Sequence, residues 1–159
     1  NHMTRFNSKG DFNLPVGNVD FNSNVYNSLN YYFDYLNRID IKYFNLDYKE
    51  FVRNLKIGKN DYVLLDPPYL ISDSEYNKLW NEKYETELYD FLDELNDKGI
   101  KFGITNLMYH KGQKNKFLEK WSKKYNVYEI NSNYISFNDN TVKINSKEVF
   151  VTNYDKDRD

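Results

Sequence analysis

The sequence predicts an α/β fold, because apolar runs typical of strands alternate with segments of helical periodicity from residue 39 onward. The apolar run at residues 62–65 predicts a buried strand. Apolar residues at helical spacing then continue to Lys98-Gly99, a usual helix end, and a strand pattern follows at residues 101–105. This order indicates a Rossmann-like sheet with helices on both faces.

The remaining elements of the α/β region follow from the same patterns. Further strands are expected at residues 41–45, 127–130, 134–137 and 148–152. The last two are expected to pair antiparallel across an Asn-rich turn. Helices are expected at residues 48–55 and around Phe117, Leu118 and Trp121.

The first 38 residues lack this alternation and predict an appended hairpin and helix. Two strand-like runs flank a glycine-containing turn, so a hairpin is expected over residues 4–17. A helix is expected over residues 24–37, behind a cap at Ser23 or Asn24. We therefore expect an appended segment at 1–38, a core at 39–154 and a charged, disordered tail at 155–159.

Composition narrows the class of protein. The 159 residues include no cysteine, which excludes disulfides and thiolate metal sites. His2 and His110 are too few and too far apart to indicate a metal site. No stretch approaches the length of a membrane span and nothing resembles a signal peptide. We expect a cytoplasmic protein, in a bacterial cell or a phage-infected host, with no metal and no membrane partner.

The segment Asp66-Pro67-Pro68-Tyr69, directly after the apolar run at 62–65, is the strongest candidate site. Prolines fix φ and lack an N–H group, so this turn presents carbonyl acceptors with little freedom. Ligands in open α/β sheets bind beyond the carboxyl ends of strands. A carboxylate, a carbonyl and a flat ring at one point suit an exocyclic amine on a base taken out of its stack. The plainer alternative is a proline-stiffened loop with a packed tyrosine.

Asp66-Pro67-Pro68-Tyr69 resembles the catalytic motif of the Dam-type DNA adenine methyltransferases. The resemblance continues through residues 70–71, 73–80, 95–103 and 119–127, and residues 5–17 resemble the target-recognition hairpin of that family. The resemblance implies a site-specific adenine methyltransferase that acts on double-stranded DNA with S-adenosylmethionine as the methyl donor. It implies that Asp66 and the Pro67 carbonyl accept hydrogen bonds from the adenine amine, and that Tyr69 stacks on the flipped base.

The resemblance also implies residues that hold the methyl donor. Asp47 and Tyr48 match positions against its adenine, Tyr76 matches a tyrosine beside it, and Asp66 is expected near its amino acid end. Two of these residues have plainer alternatives. Asp47 with Glu50 reads as a helix capping pair, and Tyr76 reads as a residue that packs the loop.

DNA contacts are expected from the hairpin and from one later loop. Arg5, Asn7 and Pro15 match positions of the recognition hairpin, and Lys9 adds positive charge there. Lys111 and Lys114, after a strand end, are candidates for phosphate contacts. Arginine is the usual reader of guanine, and the plainer alternative for Arg5 is a solvent-exposed strand residue.

The chain departs from the family pattern in two places. No two of its six glycines are spaced as Gly-x-Gly, the turn with which the family holds the methionine part of the donor. We therefore expect a C-terminal portion of a methyltransferase, with the missing N-terminal half or a second copy as a partner. Asn18-Val19 stand where the family has Lys-Arg, which places recognition of GATC in doubt.

Three hypotheses follow from these patterns. The first is an adenine methyltransferase that is truncated or split. The second is a non-catalytic DNA-binding remnant, favoured by the missing Gly-x-Gly. The third is an amino methyltransferase for RNA or protein, whose relatives often carry Asn in place of Asp66.

Overall fold

A computed structural model describes residues 9, 21–72, 77, 79–131 and 146–155. The chain divides into two compact units, Asn1–Phe51 and Val52–Asp159. The functional division into a recognition segment at 1–38 and a core at 39–154 stays a prediction. The hairpin at 4–17 lies outside the described residues except for Lys9, and so does the tail except for Asp155.

Helix α1, Ser23–Leu36, is the main described element of the first unit. The sequence predicted this helix to within one residue, but placed its cap one or two residues too late. Asn22 is the cap, because its backbone is extended and its side-chain oxygen accepts from the N–H groups of Asn24 and Val25 at 3.0 and 3.1 Å. No residue of α1 is buried.

The strand predicted at residues 41–45 is wrong, because these residues form no ladder and their side chains are exposed. Aromatic and β-branched residues favour a strand only when a neighbouring strand supplies hydrogen bonds and packing. The chain re-enters regular structure at helix α2, Tyr48–Asn54, close to the predicted bounds.

The second unit is built on a mixed sheet. Its strands are β1 Tyr62–Leu65, β2 Lys101–His110, β3 Gln113–Lys114, β4 Asn126–Ile130 and β5 Ser146–Thr152. The main order is β1-β2-β5-β4, with β3 paired to β2. Strands β1 and β2 are parallel, whereas β5 runs antiparallel to both β2 and β4.

Four predicted strands are confirmed, and β2 continues five residues beyond its predicted end at Thr105. The burial predicted for residues 62–65 is wrong: β1 ends the described strand order, and its side chains are alternately exposed and half-buried. The strand predicted at 134–137 lies outside the described residues. Its expected pairing with the last strand therefore stays a prediction. The described ladders of β5 are those with β2 and β4.

Helix α3, Glu82–Asp97, connects β1 to β2 and ends as predicted at Lys98-Gly99. Gly99 adopts a φ of 71°, a left-handed conformation that glycine adopts without strain. The N–H of Ile100 bonds to the carbonyl of Leu95, and that of Gly99 to Asn96, both at 2.9 Å. These two bonds satisfy carbonyls at the helix end.

The core lies between the sheet and two helices, α3 and α4, Lys116–Trp121. Tyr89 of α3 stacks on Trp121 of α4 with ring centroids 4.3 Å apart, and Trp121 stacks on Phe102 of β2 at 6.2 Å. Both helices therefore cover the same face of β2. Neither provides the helical cover predicted for the opposite face. The fully buried apolar side chains here are Leu92, Phe102, Ile104, Leu118, Val149 and Val151.

Gly103 lies on the opposite face of β2, beneath aromatic rings of the neighbouring strands. A Cβ atom there would lie 2.2 Å from the Tyr62 hydroxyl oxygen and 2.3 Å from Phe150 Cζ. Only glycine therefore allows these rings to approach the strand. Thr105 follows on this same face of β2, since side chains of a strand alternate.

Candidate active site

The candidate site begins where β1 ends. Leu65 pairs with Ile104 in the parallel ladder, so Asp66 lies beside Thr105, one step further along both strands. The Thr105 hydroxyl donates to Asp66 Oδ1 at 2.6 Å. The carboxylate is exposed and held at the carboxyl edge of the sheet, as the sequence predicted for a ligand-binding position.

Tyr69 returns towards the same carboxylate. Its hydroxyl lies 2.7 Å from Glu148 Oε1 on β5 and 3.3 Å from Asp66 Oδ1. Burial is the main cause that raises the pKa of Tyr69 far above its ordinary value; a contact with Thr105 lowers it, and the bond to Glu148 raises it further. Tyr69 therefore remains a hydrogen-bond donor at any physiological pH.

The side chain of Asn77 stabilises the backbone just after Tyr69. The Asn77 amide donates to the Tyr69 carbonyl at 2.7 Å and to the Ser72 carbonyl at 3.2 Å. The Ser72 N–H also donates to the Tyr69 carbonyl, at 3.0 Å. These bonds fix the backbone on the far side of the Tyr69 ring.

A second carboxyl group, Glu85 of α3, lies on the helix-covered face and is completely buried. The Trp80 indole N–H donates to its Oε2 at 2.6 Å, and the Tyr89 hydroxyl donates to its Oε1. The side-chain amides of Asn106 and Asn115 donate to Oε1 at 3.0 and 2.9 Å. We call this group the Glu85 hub: Glu85, Trp80, Tyr89, Asn106 and Asn115.

The Glu85 hub joins four segments of the chain. Trp80 directly precedes Asn81, the cap of α3, and Asn106 is the neighbour of Thr105 in β2. Asn115 caps α4, where its side-chain oxygen accepts the Leu118 N–H at 2.9 Å. The hub thus ties α3, Trp80 and the start of α4 to Asn106 of β2, the residue after the Thr105 that contacts Asp66.

The structure brings Asp66 and Tyr69 together, as predicted, with the half-buried Pro67 and Pro68 between them. Of the predicted donor-binding residues, Asp47 caps α2 by accepting the Lys49 N–H at 2.9 Å, which confirms the capping role of Asp47 and leaves donor binding a prediction. Tyr48 is the first residue of α2. Asp47 and Tyr48 belong to the first unit, and Tyr76 lies outside the described residues.

Among the predicted DNA-binding residues, Arg5, Asn7 and Pro15 lie outside the described part of the chain. The others that were predicted are exposed: Lys9, Lys111 and Lys114. Lys111 has a φ of 47° in the turn between β2 and β3, and Lys114 pairs with Glu119. The Lys114 ammonium holds the pKa of the Glu119 carboxyl below its usual range.

Three residues of the site were missed by sequence reasoning: Thr105, Glu148 and Glu85. A signal existed for Thr105. It is the last residue of the strand predicted at 101–105, the next strand expected after the one that ends just before Asp66. Glu148 gave none, since its place depends on β5 lying between β2 and β4. Glu85 reads as an ordinary surface acid near a helix start.

Two kinds of feature are missing from the described ranges. No group of three or more His, Cys, Asp or Glu side chains there could hold a metal ion. No helix among those residues combines the length and apolar character needed to cross a bilayer.

Residues 1–135 match the model of the D12 class N6 adenine-specific DNA methyltransferase family, and the chain belongs to that family. The chain is 35% identical over 97% of its length to the type II methyltransferase M.FokI of Planomicrobium okeanokoites. It is 34% identical over 98% to the modification methylase StsI of Streptococcus sanguinis, and 26% over 96% to the modification methylase LlaI of Lactococcus lactis subsp. lactis.

The chain spans about a quarter of the length of these curated relatives, 25%, 25% and 24% of each. Family membership confirms the resemblance that the sequence showed at Asp66-Pro67-Pro68-Tyr69. It also implies in general that S-adenosylmethionine is the methyl donor.

Proposed function

We propose that the protein carrying this chain transfers a methyl group from S-adenosylmethionine to the exocyclic amine of adenine in double-stranded DNA, as a cytoplasmic enzyme. One observation carries the proposal. Among the described residues, the side chains that contact Asp66 lie at Oδ1: the Thr105 hydroxyl donates to it at 2.6 Å, and the Tyr69 hydroxyl lies 3.3 Å away. The exposed carboxylate therefore keeps Oδ2 for an incoming donor such as an amine.

In the proposed mechanism Asp66 Oδ2 and the Pro67 carbonyl each accept a hydrogen bond from one N–H group of the adenine amine. Two fixed acceptors favour a pyramidal nitrogen with a localised lone pair, which is preorganisation of the reacting atom. The nitrogen gives the proton that it loses to Asp66, and the exposed carboxyl group then releases this proton to water. No covalent enzyme intermediate is required.

Tyr69 would stack on the flipped base, with its hydroxyl held on the side of Glu148. Base–aromatic stacking contributes about 1–3 kcal/mol per base. Asn77 supports this role because it fixes the backbone directly after the ring. Arg5, Asn7, Lys9 and Pro15 are proposed to contact the duplex, and Lys111 and Lys114 its phosphates.

The residues present fit part of the methyl donor. The exposed Asp66 carboxylate suits the ammonium of its amino acid end. Asp47, Tyr48 and Tyr76 are proposed as donor-binding residues on the family resemblance alone. When bound, S-adenosylmethionine supplies the methyl group from a sulfonium that becomes a neutral thioether.

The test is to incubate the complete protein with labelled S-adenosylmethionine and DNA from a host that lacks adenine methylation. We expect label in N6-methyl-deoxyadenosine after hydrolysis and chromatography, and none with Asp66→Asn. Parallel incubations contain RNA and protein in place of DNA.

Three results would contradict the proposal. Label in cytosine would change the target base, and label in RNA or protein would favour the third hypothesis from the sequence. DNA binding without any transfer would favour the non-catalytic remnant.

A further inference from the structure

The geometry points to Glu148 as a positioning residue that keeps the Tyr69 hydroxyl away from Asp66, so that the Asp66 carboxylate stays available to the base amine. The inference rests on the proposed function, since it gives Asp66 the role of acceptor. It adds a residue from β5, nearly eighty positions after the motif in the chain.

The sheet fixes the position of Glu148. It pairs with Leu107 in the ladder between β5 and β2, and with Ile130 in the ladder between β5 and β4. Phe150 pairs with Thr105 in the same β5–β2 ladder. Side chains at i and i+2 of a strand share a face. Glu148 therefore projects from a central strand to the same face as Thr105.

The Tyr69 hydroxyl has one proton and two carboxyl neighbours. Its distance to Glu148 Oε1 is 2.7 Å, against 3.3 Å to Asp66 Oδ1. An O–H···O bond is optimal near 2.7 Å, so the proton lies on the Glu148 side. A bond to an ionised acceptor is about twice as strong as one between neutral groups.

Two consequences follow for the site. Tyr69 is held at both ends, by Glu148 at its hydroxyl and by Asn77 at its carbonyl, which limits the orientations of its ring. Asp66 is spared a strong donor that would compete with the base amine. A weaker acceptor at position 148 would allow the Tyr69 hydroxyl to move to Asp66 and occupy it.

The test compares Glu148→Gln with Glu129→Gln in the complete protein. Glu129 is a matched control on neighbouring β4, because its exposed carboxylate contacts only Lys147, at 2.9 Å, among the contacts described. Single-turnover methyl transfer to duplex DNA is measured with saturating S-adenosylmethionine. We expect Glu148→Gln to lower the rate about tenfold, the effect of losing one charge-assisted hydrogen bond, with KM for both substrates within about twofold. Glu129→Gln should match the parent.

A second background separates positioning from a merely structural role. Tyr69→Phe keeps the ring and removes the hydroxyl, so adding Glu148→Gln to it should lower the rate no further. An equal fall in both backgrounds would overturn the inference, because Glu148 would then act through some other contact. So would an unchanged rate in Glu148→Gln.

The same four proteins also separate this inference from the proposed function. Thermal unfolding of the parent, the two single variants and the double variant reports the coupling between Tyr69 and Glu148 without any reaction. If the parent shows no methyl transfer but unfolding shows coupling between Tyr69 and Glu148, the proposed function is refuted and only the hydrogen bond remains. If the parent is active but neither the transfer rates nor the unfolding shows this coupling, only the role of Glu148 is refuted.

Discussion

Two acidic side chains lie on opposite faces of β2, beside consecutive residues of that strand. Asp66 is exposed, and its contacts with Thr105 and Tyr69, among the described residues, both involve one oxygen, Oδ1. Glu85 contacts Asn106, is fully buried, and receives four donors over both oxygens. The same chemical group is thus left half-satisfied on one face and completely satisfied on the other.

This difference shows how a carboxyl group is assigned to chemistry or to structure. A buried polar group must be hydrogen-bonded, and once its lone pairs are filled it cannot bind a ligand. An exposed carboxylate with one oxygen fixed is oriented but still able to accept. Asp66 therefore belongs to the reaction that we propose, and Glu85 to the scaffold beneath it.

The largest expected effect comes from Asp66→Ala. Loss of the acceptor that we place on the reacting amine should lower methyl transfer by about a thousandfold, the upper scale for one oriented group. The free energy of unfolding should change little, because the side chain is exposed. Methyl-transfer assays measure the fall in rate, and urea unfolding of the same preparation measures the free energy of unfolding. Persisting transfer would refute the assignment of the chemistry to Asp66.

Glu85→Ala should show the reverse pattern. It leaves the buried amides of Asn106 and Asn115 without their acceptor, so we expect a loss of about 3 kcal/mol in the free energy of unfolding. Glu85→Gln keeps one acceptor oxygen and should lose roughly half as much. Urea denaturation measures both variants. A Glu85→Ala protein as stable as the parent would show that the hub contributes nothing.

Thr105→Val tests the bond that orients Asp66. Valine keeps the shape of threonine and removes the hydroxyl, so the rate of transfer should fall about tenfold, the effect of one hydrogen bond to a charged group. Thr105→Ser keeps the hydroxyl and serves as the control. Equal rates for the two variants would mean that Asp66 is oriented by other contacts.

The smallest effect concerns a third carboxylate, Asp93, which lies near the end of α3. Burial opposes its ionisation, but bonds from Lys124, Tyr125 and Trp121 outweigh burial and lower the pKa of Asp93 below its ordinary value of 3.8. Its stabilising effect is therefore complete above about pH 4 and is lost as the pH falls through the lowered pKa.

Asp93→Asn should accordingly be less stable than the parent at pH 7, by less than about 1 kcal/mol, since solvent partly screens this half-buried group. The gap should narrow below pH 4, as the parent loses the same bonds. Thermal unfolding from pH 7 to pH 3 measures this. A constant gap across that range would contradict the shift in pKa.

The sequence was sufficient where the determinants are local. The apolar run at 62–65 and the two prolines predicted β1 and the turn at Asp66, and Lys98-Gly99 predicted the end of α3. Each depends on backbone preferences of a few adjacent residues. The pattern at 41–45 also contains aromatic and β-branched residues, yet it forms no strand, because a strand also needs a neighbouring chain segment.

The partners of the site could not be predicted in the same way. Glu148 reaches Tyr69 only because β5 lies antiparallel between β2 and β4, a placement that no local pattern specifies. Asn115 reaches Glu85 across thirty residues for the same kind of reason. Sequence reasoning thus identified the atoms proposed to react, and the sheet order supplied the residues that orient them.

The most direct test of the contrast between the two carboxyl groups is a side-by-side measurement of Asp66→Asn and Glu85→Gln in the complete protein. Both changes are isosteric, so the single-turnover rate of methyl transfer per folded molecule can be compared with the midpoint of thermal unfolding. We predict that Asp66→Asn loses transfer at an unchanged midpoint, and that Glu85→Gln lowers the midpoint while transfer by the folded fraction is largely retained. A folded Glu85→Gln protein as inactive as Asp66→Asn would contradict this account.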